Sequence, residues 1–371
     1  MKQGRTLEKL GMELQRQRNA RKDFLADTRN LVFKTEGRES LLSVLTEKGN
    51  HDFPINELAH QQIAARLGIP YRYYQKMQTE EPSLLGTNVN TWFQKTPERR
   101  MVRVLDGNVR AFLSDRYRRL DHLELCAAVL PIIHGMKGAS IESCEVTETH
   151  LYLKVIHKKM KAEISLGDAV QAGFVISNSE VGMGSLKVEP LVYRLVCKNG
   201  LICKDYAQKK YHVGRQAEGN REEAYEIYFD ETLKQDDKAF FMKVQDTVRC
   251  AVDEARFQMT VNKMREAMQI PMEHEPVKAV ELLADKFQLT QNERGDVLRQ
   301  LFMSGDSSRY GLVNAVTAAS KIAKDYERAT ELERIGGEIL SMPVPRHLLP
   351  EASSADRMKN ITPMRKELAM A

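Results

Sequence analysis

Apolar and polar positions along the chain change period several times, and each change marks a different kind of element. Residues 1 to about 22 carry Leu7, Leu10 and Leu14 on one helical face with Arg16, Arg18, Arg21 and Lys22 behind them, the pattern of a basic amphipathic arm. From Ile55 to Met77 the string INELAHQQIAARLGIPYRYYQKM predicts two short helices, with Gly68 and Pro70 ending the first and setting up the second. Helix-turn-helix readers of DNA have this pattern, and so does a small helical subdomain in which Leu58, Ala59, Ile63 and Leu67 are core contacts. Both readings stay open at this point.

The middle of the chain turns to strands. In MVRVLDGNVRAFLS, Asp106-Gly107 between two runs of strand formers predicts a hairpin over 101–114. A helix follows near 121–134. The strings SIESCEV, HLYLKVIHKK, QAGFVIS and VYRLVCKNGLI then read as strands, with Asn199-Gly200 as a further turn. In the second of these strings Leu151, Leu153 and Val155 alternate with Tyr152, Lys154, Ile156 and Lys158, so one side of the strand is partly charged. Beyond about residue 235 the three- and four-residue spacing returns and predicts a long helix over 236–268. Pro276 opens another helix, and Thr290 with Glu293 forms a capping-box pattern. The expected fold is α+β: a central antiparallel-rich β-sheet with an N-terminal helical subdomain and a C-terminal helical unit. The expected divisions are a basic helical arm (1–48), a small helical subdomain (49–98), a β-rich core (99–233), a helical unit (234–340) and a flexible tail (341–371). Trp92 is expected to be a buried packing anchor.

Composition narrows the class. At 371 residues and 42% hydrophobic content the chain is long and apolar enough for two or three packed units. Five scattered cysteines suggest no disulfide framework, and no window approaches eighteen uninterrupted apolar residues. The first residues bring charges (Lys2, Arg5, Glu8, Lys9) in place of the apolar run of a secretory signal, so a cytoplasmic protein without membrane contact is expected.

Charge placement gives the functional expectation. Arg99, Arg100, Arg103, Arg110, Arg116, Arg118 and Arg119 face only Asp106 and Asp115 in their stretch, an excess equal to the +5 of the whole chain. Arg103, Arg110, Arg116, Tyr117, Arg118 and Arg119, with Lys154 and Lys158, and with the later cluster Tyr206, Lys209, Lys210 and Tyr211, are the candidate nucleic-acid contacts. Cations neutralise phosphates, and exposed tyrosines offer stacking surfaces for unpaired bases, so single-stranded DNA is the expected partner. No local pattern supplies a metal site, a phosphate-cradling loop or a nucleophile with its base, and no catalytic residue, metal or cofactor is assigned. Two other classes fit the same sequence. One is a metal-dependent nuclease or nucleotide-processing enzyme, whose carboxylates converge from several strands. The other is a non-catalytic, self-assembling interaction protein built on the Met-bearing helical third, and a homo-oligomer is compatible with either reading.

The strings FPINELAHQQIAARLGIPYRYYQKM, NVNTWF, RMVRVLDGNVRAFLSDRYRRLD, GFVISNSEVGMGSLKVEPLVYRLVCKNGLI and LVNAVT together resemble the phage/plasmid-like family known as domain of unknown function 932 (DUF932), from about Asn50 to about Thr317. The resemblance implies a mobile-element setting, and with it DNA replication, recombination or protection, without an agreed activity. The order of β-rich then helical segments is also similar to phage single-strand annealing proteins, from which no residue is carried over.

Overall fold

Turn and cap residues decide where most of the elements begin and end. In this computed structural model residues 1–37, 39–117, 119–203 and 230–343 are described. Thr6 caps α1 (Leu7–Ala20) by accepting from the Lys9 N–H. Strands β1 (Lys22–Asp27), β2 (Leu31–Glu36), β3 (Glu39–Thr46) and β4 (Gly49–Pro54) follow, then helices α2 (Glu57–Arg66), α3 (Tyr71–Glu80) and α4 (Pro82–Lys95). The predicted hairpin is β5 (Arg99–Leu105) and β6 (Asn108–Ser114). Its two-residue turn puts Asp106 at φ 51° and Gly107 at φ 78°, the pair of positive values that matches the twist of the flanking strands.

After α5 (His122–Gly135) come β7 (Ala139–Val146), β8 (Leu151–Ser165), β9 (Asp168–Asn178), β10 (Lys187–Arg194) and β11 (Asn199–Ile202). The C-terminal helices are α6 (Asp230–Arg249), α7 (Glu254–Gln269), α8 (Pro276–Phe287), α9 (Gln291–Ser304), α10 (Arg309–Ala319) and α11 (Tyr326–Ser341). The capping box at Thr290 and Glu293 forms as expected, and Pro276 occupies the first turn of α8.

The strands form three antiparallel sheets, ordered β1-β5-β6, β2-β3-β4 and β11-β10-β9-β8-β7, and the fold is α+β. The five-stranded sheet is covered on both faces. Leu151, Leu153, Val155, Phe174 and Ile176 pack with α1, α5 and α6, while Val170, Ala172 and Val192 pack with α7, α10 and α11. Strand β9 is consequently buried along almost its whole length, which removes the alternation expected of a half-solvated sheet. A separate core joins β2 to β4 and α2 to α4 with β5 and β6.

The helix pair of the N-terminal half is built by its turn. The Gly68 N–H donates to the Ala65 carbonyl at 3.2 Å and the Ile69 N–H to the Ala64 carbonyl at 2.9 Å, with Gly68 at φ 67°. This is a Schellman stop, which requires a left-handed residue after the helix cap, and glycine takes that conformation at least cost.

Four expectations change. The 1–48 segment is helical only to Ala20 in its long helix, and strands β1 to β3 follow, because Leu31, Phe33, Leu42 and Val44 supply a two-residue period that buries against α4 and its neighbours. The helix expected over 236–268 is broken. Its C-terminal piece starts afresh where Asp253 accepts from the Arg256 N–H and caps α7. Asn199-Gly200 begins β11 instead of forming a turn, and the left-handed residue is Lys198 at φ 52°. Trp92, on the outer side of α4, is 43% exposed. The expected tail lies outside the described residues beyond 343.

Candidate nucleic-acid interface

Arg103 and Arg110 of the hairpin point inward. Arg103 on β5 has no exposed side-chain surface. It donates from Nη2 to Asp121 Oδ1 at 2.7 Å, from Nε to Asp23 Oδ1 at 3.2 Å and from Nη1 to the Glu180 carbonyl at 2.9 Å. Arg110 on β6 donates from Nη2 to Glu180 Oε2 at 2.5 Å, and the other oxygen of that carboxylate accepts from the His122 N–H at 2.5 Å. Arg21, just past α1, completes the set by pairing with Asp121. Three cations and three carboxylates from five places in the chain thus meet where the hairpin, the loop after β9 and the N-terminus of α5 converge.

Electrostatics in this cluster balance internally. Burial opposes ionisation of Asp121 and Glu180, yet Arg103 acting on Asp121, and His122, Arg110 and Arg103 acting on Glu180, hold both carboxyls below their ordinary values. Burial drives His122 down to about 4, so the ring is neutral at pH 7. Such a cluster leaves little field for an external anion, because buried charges that satisfy one another are spent.

Lys154 is also internal. Its ammonium lies 2.6 Å from Glu333 Oε2 on α11, with neither side chain exposed, and 4.6 Å from the centre of the Tyr326 ring. Arg103, Arg110 and Lys154 are therefore withdrawn as surface contacts: each lies in a covered face and already has a carboxylate partner. Arg116, Arg119 and Lys158 are exposed. Tyr117 is half-buried and donates its hydroxyl to the Ser179 carbonyl at 2.8 Å, which leaves its ring little freedom to stack on a base. Arg118, Tyr206, Lys209, Lys210 and Tyr211 lie outside the described residues.

A cleft lined by charges of both signs lies beside this cluster. Arg18 and Arg21, at the end of α1, line a cleft together with Arg110, facing Asp121, Glu124 and Glu180. Among the described residues the Arg110 Nε is a buried donor without a hydrogen-bond partner. Exposed Arg119 is two residues from Asp121. The available signal for the internal network was a lone arginine inside MVRVL, since a charge in a strand covered on both sides needs an acid beside it. Its partners, Asp23, Asp121 and Glu180, are too far along the chain for spacing to reveal.

Among the described residues, no group of three or more His, Cys, Asp or Glu is placed to hold a metal ion. No helix among them is long and apolar enough to cross a membrane.

Fold and site together define an α+β protein in which a doubly covered antiparallel sheet is fastened to a hairpin by internal ion pairs. The family described as Domain of unknown function (DUF932) matches residues 111–334, more than half of the chain, and the chain belongs to that family. The match spans β6 to α11 and leaves the α2–α3 pair outside it. No curated protein and no solved structure matches.

Proposed function

We propose that the protein binds nucleic acid without covalent catalysis, through cations at the rim of the cleft between α1 and α5. One observation carries this reading: exposed Arg18 of the N-terminal arm lines the cleft together with Asp121, and exposed Arg119 stands two residues from Asp121, so two cations far apart in sequence stand beside the same cleft. The guanidinium groups of Arg18 and Arg119 are suited to donate to phosphate oxygens. Phosphate contact through arginine is the sequence-independent part of nucleic-acid affinity and is strongly weakened by salt.

Fluorescence anisotropy with labelled single-stranded and duplex oligonucleotides at two salt concentrations tests it. The expected result is binding that weakens with salt. Arg18→Ala/Arg119→Ala then reduces the magnitude of the log–log salt slope by about 0.7 to 0.9 for each phosphate that the variant no longer neutralises. Absence of binding to either strand form at low salt ends the proposal.

A further inference from the structure

We infer that α3 is a groove-reading helix and that its outer face takes duplex DNA, with α2 bracing it from behind. This rests on the nucleic-acid reading and names its substrate as double-stranded. A turn, a brace and an exposed face carry it.

The first is the turn. A recognition pair needs two short helices joined by three or four residues, often with glycine, so that the second helix stands away from the first. Here residues 67–70 make the connection, and the Schellman stop at Gly68 fixes its direction. The second is the brace. Ile63, Ala64, Tyr74 and Met77 are buried between the helices and their neighbours. A polar pin adds direction to this apolar contact: His60 Nδ1 of α2 lies 2.8 Å from the Tyr74 hydroxyl, and His60 Nε2 lies 3.2 Å from Gln78 Nε2. A helix held at two successive turns by one ring cannot rotate about its own axis without breaking a hydrogen bond, so the side chains it shows to solvent are fixed.

The third is what it shows. Arg72, Tyr73, Gln75, Lys76 and Thr79 are all exposed, Tyr73 by 51%. Core packing accounts for the buried stripe of α3 but requires none of these. Arginine and glutamine are side chains that pair with guanine and adenine edges in the major groove, a channel about 12 Å wide that admits one helix. Arg72 stands in the first turn of the helix and Lys76 just past its middle, whereas the acids Glu80 and Glu81 stand at its far end. That polarity suits the established docking mode, in which the N-terminal residues of the second helix reach the bases and the positive end of its dipole meets the backbone. The exposed Lys76–Glu80 pair, at 3.7 Å, is too weak to withhold the ammonium from a phosphate. The geometry assigns Arg72 and Gln75 to base edges and Lys76 to the backbone.

The test uses the full chain, a random-sequence duplex pool for selection, and anisotropy on a selected duplex and on its separated strands. Wild type is expected to enrich a base pattern and to prefer the duplex. Gln75→Ala should reduce discrimination between selected and scrambled duplexes by about 5- to 150-fold. Lys76→Ala should weaken both duplexes alike. All three side chains are exposed, and unchanged thermal midpoints establish that the variants are folded. Binding to single strands alone, a pool that shows no enrichment, or duplex affinity untouched by Arg72→Ala and Gln75→Ala overturns the inference while leaving nucleic-acid binding in place. Failure to bind either form overturns both.

Discussion

A charged side chain with no exposed surface tells more about assembly than about ligands, and Lys154 and Arg103 are both of this kind. Removing one partner strands the other charge in a dry interior, whereas replacing both with apolar groups of similar size leaves nothing unsatisfied. Lys154→Met is therefore expected to cost about 3 to 5 kcal/mol, and Lys154→Met/Glu333→Leu to recover most of it. Urea denaturation followed by circular dichroism measures both. His60 and His122 give a second prediction. Burial pushes each down to about 4 in the folded chain, against an ordinary 6.5. Between those values the unfolded chain binds protons that the folded chain refuses. Stability is thus complete above pH 6.5 and declines as pH falls toward 4, by up to about 1.4 kcal/mol per pH unit for each histidine. Denaturation midpoints at pH 7 and pH 5 read the loss, and His60→Gln should remove the His60 share of that slope.

At the scale of the element, glycine positions separate conformational strain from crowding. Gly68 has open space around a Cβ but a φ of 67°, so Gly68→Ala is expected to cost only the left-handed penalty of about 1 to 2 kcal/mol. Gly173, in β9, would place a Cβ 2.2 Å from the Val155 carbonyl oxygen. Gly173→Ala has to push two strands apart and should be much the more damaging, as thermal melts of the two variants would show. The same contrast explains what could be read in advance. Asp106-Gly107 and the Thr290 capping box were legible because a turn or a cap is settled by residues within a few positions of one another. The displaced turn at Lys198 was not, since strand register there depends on packing against distant residues, and the break before α7 was missed although its cap, Asp253, is local. In the candidate site the exposed Arg119 was legible. The inward arginines were misread because the sequence supplies their charge without the carboxylates that meet them in space.

Across the whole molecule, the Arg103–Asp121–Glu180 cluster fastens the β1-β5-β6 sheet to the five-stranded one, and a small apolar cluster of Met101, Ala111 and Leu113 with Val181 adds to the contact. Glu180→Gln keeps the shape and removes the charge that Arg110 and the N-terminus of α5 share. Hydrogen exchange is expected to rise first in β5 and β6, before the β8–β9 pair is affected, if the cluster is what couples the two sheets. Uniformly faster exchange would show instead that the apolar cores alone hold them together.

The Lys154–Glu333 pair also bears on how the protein is made. Its members are 179 residues apart, so a ribosome releases the β8 lysine well before it has synthesised the glutamate. Until α11 emerges, that ammonium needs water, and the second face of the sheet cannot close around it. Nascent chains halted short of residue 333 should therefore remain open to protease in β8, whereas chains carried past it should become resistant.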